Sequence, residues 1–334
     1  MPQLKFPAHI DVANSQIQFI EVTKDQLDSL AFHDKRLNQG KPAISTSNIS
    51  NIKNSIDNSS MSFIFHTAFC GSTYLSKLLG QKFFSIREPN IFMNLANLKR
   101  TNPRFTNDTK LLNSWIKKSL SCFNDELGSN ENLLFKPSNS TNNIINHLLD
   151  ASPQSKALLL YTDLDGFLVS ILKKGEAGKS FIRNLYNIFS LDKSPFAMTD
   201  FRKVNCFTDL QIACLVWCMQ MHVYQQIAYS SYNNRIKFLE TNTLLNNPKL
   251  AVRKISHYFD NQLNDADIKN LEQLGLFSSH SKHRDQNYTT DIRKQEYNQI
   301  KQKYRQEFEE INQWLNNSLK PPSIPSQKLH LELE

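Results

Sequence analysis

Along most of this chain, short continuous apolar runs alternate with segments whose apolar residues recur every three or four positions. Met61–His66, Lys82–Arg87, Asn132–Lys136, Ala157–Tyr161 and Arg235–Leu239 read as strands. The helical spacing falls at Ser72–Leu79, Leu111–Leu127, Thr141–Leu149, Asp165–Lys173, Leu210–Ser230 and Pro248–Phe259. Strands with no polar alternation are covered on both faces, and strands separated by helices join as parallel neighbours. The pattern predicts an α/β protein: three layers, with a mainly parallel central sheet flanked by helices.

The two ends of the chain read differently. Residues 1–60 are mixed and polar, ending in a Ser/Asn-rich stretch, with a single strand at Ile17–Val22. They are expected to form a peripheral extension, partly loop. Residues 61–318 are expected to form the main domain. Near its end, Tyr297, Ile300, Tyr304, Phe308, Ile311 and Leu315 step as one amphipathic helix. Pro321, Pro322 and Pro325 then predict a flexible tail over residues 319–334. Lys174–Gly178 reads as a flexible exit from the preceding helix.

Composition narrows the partners. The formal charge of +8 is dispersed, without the run of Lys and Arg that marks a nucleic-acid arm. A polyphosphorylated small molecule would use the same excess, and no nucleic-acid partner is expected. The five cysteines, Cys70, Cys122, Cys206, Cys214 and Cys218, show neither metal-ligand spacing nor a disulfide framework. No metal is expected. With no signal peptide in view, the expected compartment is the cytoplasm. Leu210–Asn234 holds no formal charge over a membrane-spanning length, but Gln211, Gln220, His222, Gln225 and Gln226 make lipid too costly. No membrane span is expected.

The segment Phe63–Leu79 carries the most chemistry. An apolar strand passes through a turn centred on Gly71 into a helix opened by Ser72 and Thr73. A helix N-terminus offers free N–H groups and partial positive charge, and glycine lets a phosphate approach the backbone closely. An ordinary strand–turn–helix with a Ser/Thr cap has the same local spacing. No lysine follows Gly71, so the ATPase pattern is absent.

This segment resembles the 5′-phosphosulfate loop of the sulfotransferase family, a P-loop fold. Cys70-Gly-Ser-Thr73 matches the family's Ser-Gly-Thr-Thr, and Leu75–Leu79 matches its Leu-rich helix. The string from His66 to Thr73 looks like a divergent bacterial branch. Arg87-Glu-Pro89, Lys136-Pro-Ser138, Leu158–Ser170, Lys237–Phe259 and His280-Ser-Lys282 follow in the family's order. The resemblance departs from the family pattern at Phe69, which stands where the family has a loop cation, and at Thr162, where it has an arginine.

The resemblance implies that 3′-phosphoadenosine 5′-phosphosulfate binds at Ala68, Phe69, Cys70, Gly71, Ser72 and Thr73. It implies 3′-phosphate ligands at Ser170, Lys173, Ser281 and Lys282. Lys136 and Glu88 close two strands, where α/β sheets place their ligands. Lys136 is the candidate cation for the departing group and Glu88 the candidate general base. His66 is a weaker candidate base. The expected reaction is sulfuryl transfer to a hydroxyl or amine of a small-molecule or glycan-like acceptor. A non-catalytic nucleotide-binding protein and another P-loop group transferase or kinase stay open as alternatives.

Overall fold

The computed structural model describes residues 3–37, 42–56, 61–128, 132–198, 204–277, 290–323 and 330–332. The fold is α/β, with a five-stranded parallel sheet. Its strands are β4 (Met61–His66), β5 (Phe84–Arg87), β6 (Leu133–Lys136), β7 (Lys156–Tyr161) and β8 (Ile236–Glu240), in the order β5-β6-β4-β7-β8. Every residue of β4, β5 and β6 is buried, including the polar Ser62, His66, Ser85, Arg87 and Lys136. Phe84–Arg87 pairs in register with Leu133–Lys136, and Met61–Phe63 with Leu133–Phe135.

By contact density the chain forms two compact units. One contains residues 1–66, 72–158 and 252–274. Its N-terminal part holds β1 (Leu4–Asp11), β2 (Gln16–Val22), a short helix α1 (Lys24–Ser29) and β3 (Ser45–Asn48). The three strands pair antiparallel, a second sheet of which the polar pattern showed only β2. Thr23 and Gln26 close a capping box at the start of α1. The same unit holds α2 (Ser72–Leu79), α3 (Asn90–Thr101), α4 (Pro103–Asn107), α5 (Thr109–Leu127) and α6 (Ile145–Ala151). The helix expected from Thr141 opens as a 3-10 turn over Asn139–Ile144. Its Asn and Ser side chains compete for the backbone there. Phe63, Phe92, Phe123 and Phe135 stack into a buried aromatic core.

The other unit contains residues 67–71, 159–251 and 275–334. Its helices are α7 (Leu164–Lys173), α8 (Gly175–Ser190), α9 (Asp209–Ala228) and α10 (Thr241–Asn246). The expected flexible exit at Lys174–Gly178 is instead the first turn of α8. Gly175 takes φ +54° to break from α7. A Cβ at Gly178 would lie 2.4 Å from the carbonyl oxygen of Ile171, so only glycine lets the two helices approach. The single C-terminal stripe is two helices, Thr290–Lys303 and Arg305–Ser318, parted at Tyr304. Phe308, Ile311 and Leu315 are buried, whereas Tyr297 and Ile300 are half-exposed, so the stripe is not one continuous seam. Beyond the prolines, Leu331 N–H donates to Phe238 O at 2.8 Å.

Candidate functional site

The loop leaving β4 is built from unusual backbone. Phe69 has φ +61° and Gly71 φ +78°, two left-handed residues at alternate positions. Such alternation turns successive N–H groups toward one side, the geometry of an anion nest. No hydrogen bond runs from the amides of Gly71, Ser72 or Thr73 to another protein group among the described residues. Phe69 and Gly71 are half-exposed while the rest of the loop is buried. A Cβ built on Gly71 would meet only Leu244, at 4.0 Å, so that side of the loop is open to a ligand.

Distant polar groups hold the loop. Thr67 N–H donates to Leu160 O at 3.0 Å, and Ala68 N–H donates to the Gln220 side-chain oxygen at 3.1 Å. The Ala68 amide is thus already engaged. Thr241 Oγ1 lies 2.9 Å from Cys70 O and 2.8 Å from Tyr161 O. The Cys70 thiol donates to Thr67 O at 2.9 Å. Gln220 and Thr241 were not singled out as loop residues from the sequence. The one signal was Gln220 in the middle of an apolar stretch of α9.

The Phe69 ring packs against Phe167 at 5.7 Å and Phe181 at 5.4 Å between centroids. Lys174 Nζ lies 5.8 Å from the centroid of the same ring. An aromatic cluster therefore occupies the position of the expected family cation, with an ammonium group on its face.

At the ends of β5 and β6, Lys136 and Glu88 meet. Lys136 Nζ lies 2.5 Å from Glu88 Oε1, and its side chain has 0% exposure against 16% for Glu88. The register sets Arg87 beside Lys136, and Glu88 N–H then donates to Lys136 O at 2.6 Å. His66, the last residue of β4, brings its Nε2 to 3.5 Å from Lys136 Nζ and 3.7 Å from Glu88 Oε1. Asn142 fixes the His66 carbonyl from its side-chain amide at 3.2 Å. The Phe32 ring lies 5.4 Å from Lys136 Nζ.

Glu88 takes φ +54°, a conformation that costs a residue with a Cβ and recurs at functional sites. Burial works against its charge. Lys136 and His66 outweigh that and hold its carboxyl below the usual carboxylate range. The guanidinium of Arg87, the preceding residue, donates to Leu27 O.

Ser170 and Lys173 have partners within this structure. The Ser170 hydroxyl donates back to Gly166 O at 2.8 Å within α7. Lys173 pairs with Glu296 at 2.5 Å. Phe167, one turn before Ser170, touches the loop through Phe69. The Thr162 carbonyl accepts from the Trp217 indole at 2.9 Å. Ser281 and Lys282 lie outside the described residues. Among the described residues no group of three or more His, Cys, Asp or Glu side chains is placed to hold a metal. No helix among them is long and apolar enough to cross a membrane.

No model of a known protein family matches the sequence, and no curated protein matches it. Solved sulfotransferase structures are similar. The sulfotransferase domain of the Synechococcus PCC 7002 olefin synthase is 13% identical, over 83% of this chain and 94% of that one, with a TM-score of 0.41. A sulfotransferase from Mycobacterium avium is 11% identical over 83% of this chain and 80% of its own, also at 0.41. A sulfotransferase domain from the curacin biosynthetic pathway gives 11%, 82%, 95% and 0.41. Likeness at that level says nothing of substrate or activity.

Proposed function

We propose that this chain is a sulfotransferase that takes 3′-phosphoadenosine 5′-phosphosulfate as donor and a hydroxyl or amine of a small-molecule or glycan-like compound as acceptor. The observation that carries this reading is the loop after β4. Two left-handed residues lie at the head of a helix, the Gly71 side is open, and the amides of Gly71, Ser72 and Thr73 have no protein partner among the described residues. That arrangement suits the anionic 5′-phosphosulfate end of the donor, and the lack of a lysine after Gly71 argues against a nucleoside triphosphate.

The ion pair supports the chemistry. Glu88 is ionised at neutral pH and so is in the state to accept a proton. In the proposed step the acceptor oxygen or nitrogen attacks sulfur, Glu88 takes its proton, and the bond from sulfur to the phosphate oxygen breaks. Lys136 stabilises the charge left on that oxygen, in place of the loop cation that Phe69 does not supply. Ser170, Lys173, Ser281 and Lys282 are the proposed 3′-phosphate ligands.

One observation favours a second reading, a nucleotide binder without turnover. Phe69 is packed among aromatic rings where the family resemblance implies a cation. Calorimetry with 3′-phosphoadenosine 5′-phosphate and with ATP, followed by turnover over a broad acceptor panel, separates the readings. Binding of the bisphosphate with turnover supports the transferase. Binding without turnover selects the binder, and binding of ATP alone refutes both.

A further inference from the structure

The segment between α1 and residue 37 belongs to the environment of Glu88. β5 is the edge strand of its sheet, so among the described residues no further strand pairs with the outer side of its last residue. His33 takes that place. Its backbone N–H donates to Arg87 O at 2.5 Å, and Arg87 N–H donates to His33 Nδ1 at 3.1 Å. Nδ1 therefore carries no proton, and Nε2–H donates to Leu27 O at 2.9 Å. Both ring nitrogens are committed and the ring is fully buried. Burial and the Arg87 guanidinium push the imidazole down to about 3, so it is neutral wherever the enzyme would work. On the inner side, Glu88 N–H is held by Lys136 O at 2.6 Å. The backbone is thus clamped from both sides at the step where it turns left-handed.

We propose that His33 is a positioning residue for Glu88: its two-point hold on the Arg87 peptide fixes the left-handed turn that delivers the Glu88 carboxylate to Lys136. This rests on the reading of Glu88 and Lys136 as the reacting pair. The neighbouring residues belong to the same strap. The Phe32 ring centroid lies 5.4 Å from Lys136 Nζ and 4.1 Å from the Arg36 guanidinium carbon, and Arg36 is bound to Asp34 at 2.6 Å. Residues 32–36 would then be part of the catalytic apparatus rather than a peripheral extension.

Two substitutions in the full chain test this. In His33→Asn, the side-chain oxygen takes the place of Nδ1 and keeps the acceptor for Arg87 N–H. In His33→Gln, the side-chain amide takes the place of Nε2, keeps Leu27 and loses that acceptor. His33→Gln is expected to lower kcat by about tenfold or more, the scale of a small misplacement of a reacting group. Its affinity for 3′-phosphoadenosine 5′-phosphate, read by calorimetry, should match the wild type, and His33→Asn should restore turnover. Equal turnover in wild type, His33→Gln and His33→Asn overturns this inference alone. So does a parallel loss of nucleotide affinity and melting temperature in both variants, which is the mark of a merely structural histidine. A wild-type chain that shows no turnover overturns the functional reading, and this inference with it.

Discussion

Replacing Lys136 by methionine tests whether the pair it forms with Glu88 is a single electrostatic unit. Methionine keeps the buried apolar stem and removes only the ammonium. Lys136 is fully buried, so wild-type folding pays its desolvation against the contact with Glu88. Without the ammonium, the Glu88 carboxylate stays in a half-buried site with His66 as the nearest cation-capable group, 3.7 Å away. Breaking a buried pair by removing one partner costs about 3–5 kcal/mol. The 16% exposure of Glu88 lets water reach it and argues for the low end, about 3 kcal/mol, or roughly 150-fold in the folding equilibrium. The pH dependence should change sign. In the wild type the Glu88 pKa lies below its ordinary 4.5, so its contribution is fully present above that value and is lost as pH falls through the folded pKa. In Lys136→Met, burial pushes that carboxyl up instead, so the variant loses stability as pH rises through and above 4.5. Urea unfolding of the wild type, Lys136→Met, Glu88→Gln and the double variant at several pH values measures both effects. The double variant should recover at least about half of the loss, because no unpaired charge is left. A single-variant cost under about 1 kcal/mol, as for an exposed pair, or strict additivity in the double variant, would refute the reasoning.

Gly71→Ala places a Cβ on a φ +78° residue at about 1–2 kcal/mol and into the open side of the loop, so a folded variant should lose bisphosphate binding by calorimetry. Thr241→Val removes the hydroxyl from Cys70 O and Tyr161 O; about 1–2 kcal/mol should be lost in urea unfolding, with faster amide exchange over Thr67–Gly71. Glu88→Gln should lower turnover about a hundredfold or more with nucleotide affinity unchanged, since a base acts only in the chemical step. Lys136→Ala should lower turnover on the same scale by steady-state kinetics, through loss of one charge contact to the leaving oxygen.

Much of the architecture is written locally. Hydrophobic spacing located β4, β6, β7 and β8 to within a residue or two, as well as α2, α5, α7 and α9, because each buries a face set by its own period. The turn at Gly71 was legible for the same reason: a glycine between an apolar strand and a Ser/Thr helix start has few other uses. Lys136 and Glu88 were legible as strand-end residues, but not their pairing, which depends on β5 and β6 lying in register. Other features have no local signature at all. Ala68 and Gln220 are 152 residues apart, and His33 and Arg87 are 54 apart. A polar side chain that caps a distant backbone looks, in sequence, like any exposed polar residue. The three-stranded N-terminal sheet was hidden because β1 contains a proline and β3 is four polar residues, so neither shows clean alternation. Sequence periodicity records which face of an element is buried; which polar group then meets which backbone atom is decided only when the elements pack, because buried amides and carbonyls must find partners wherever the fold supplies them.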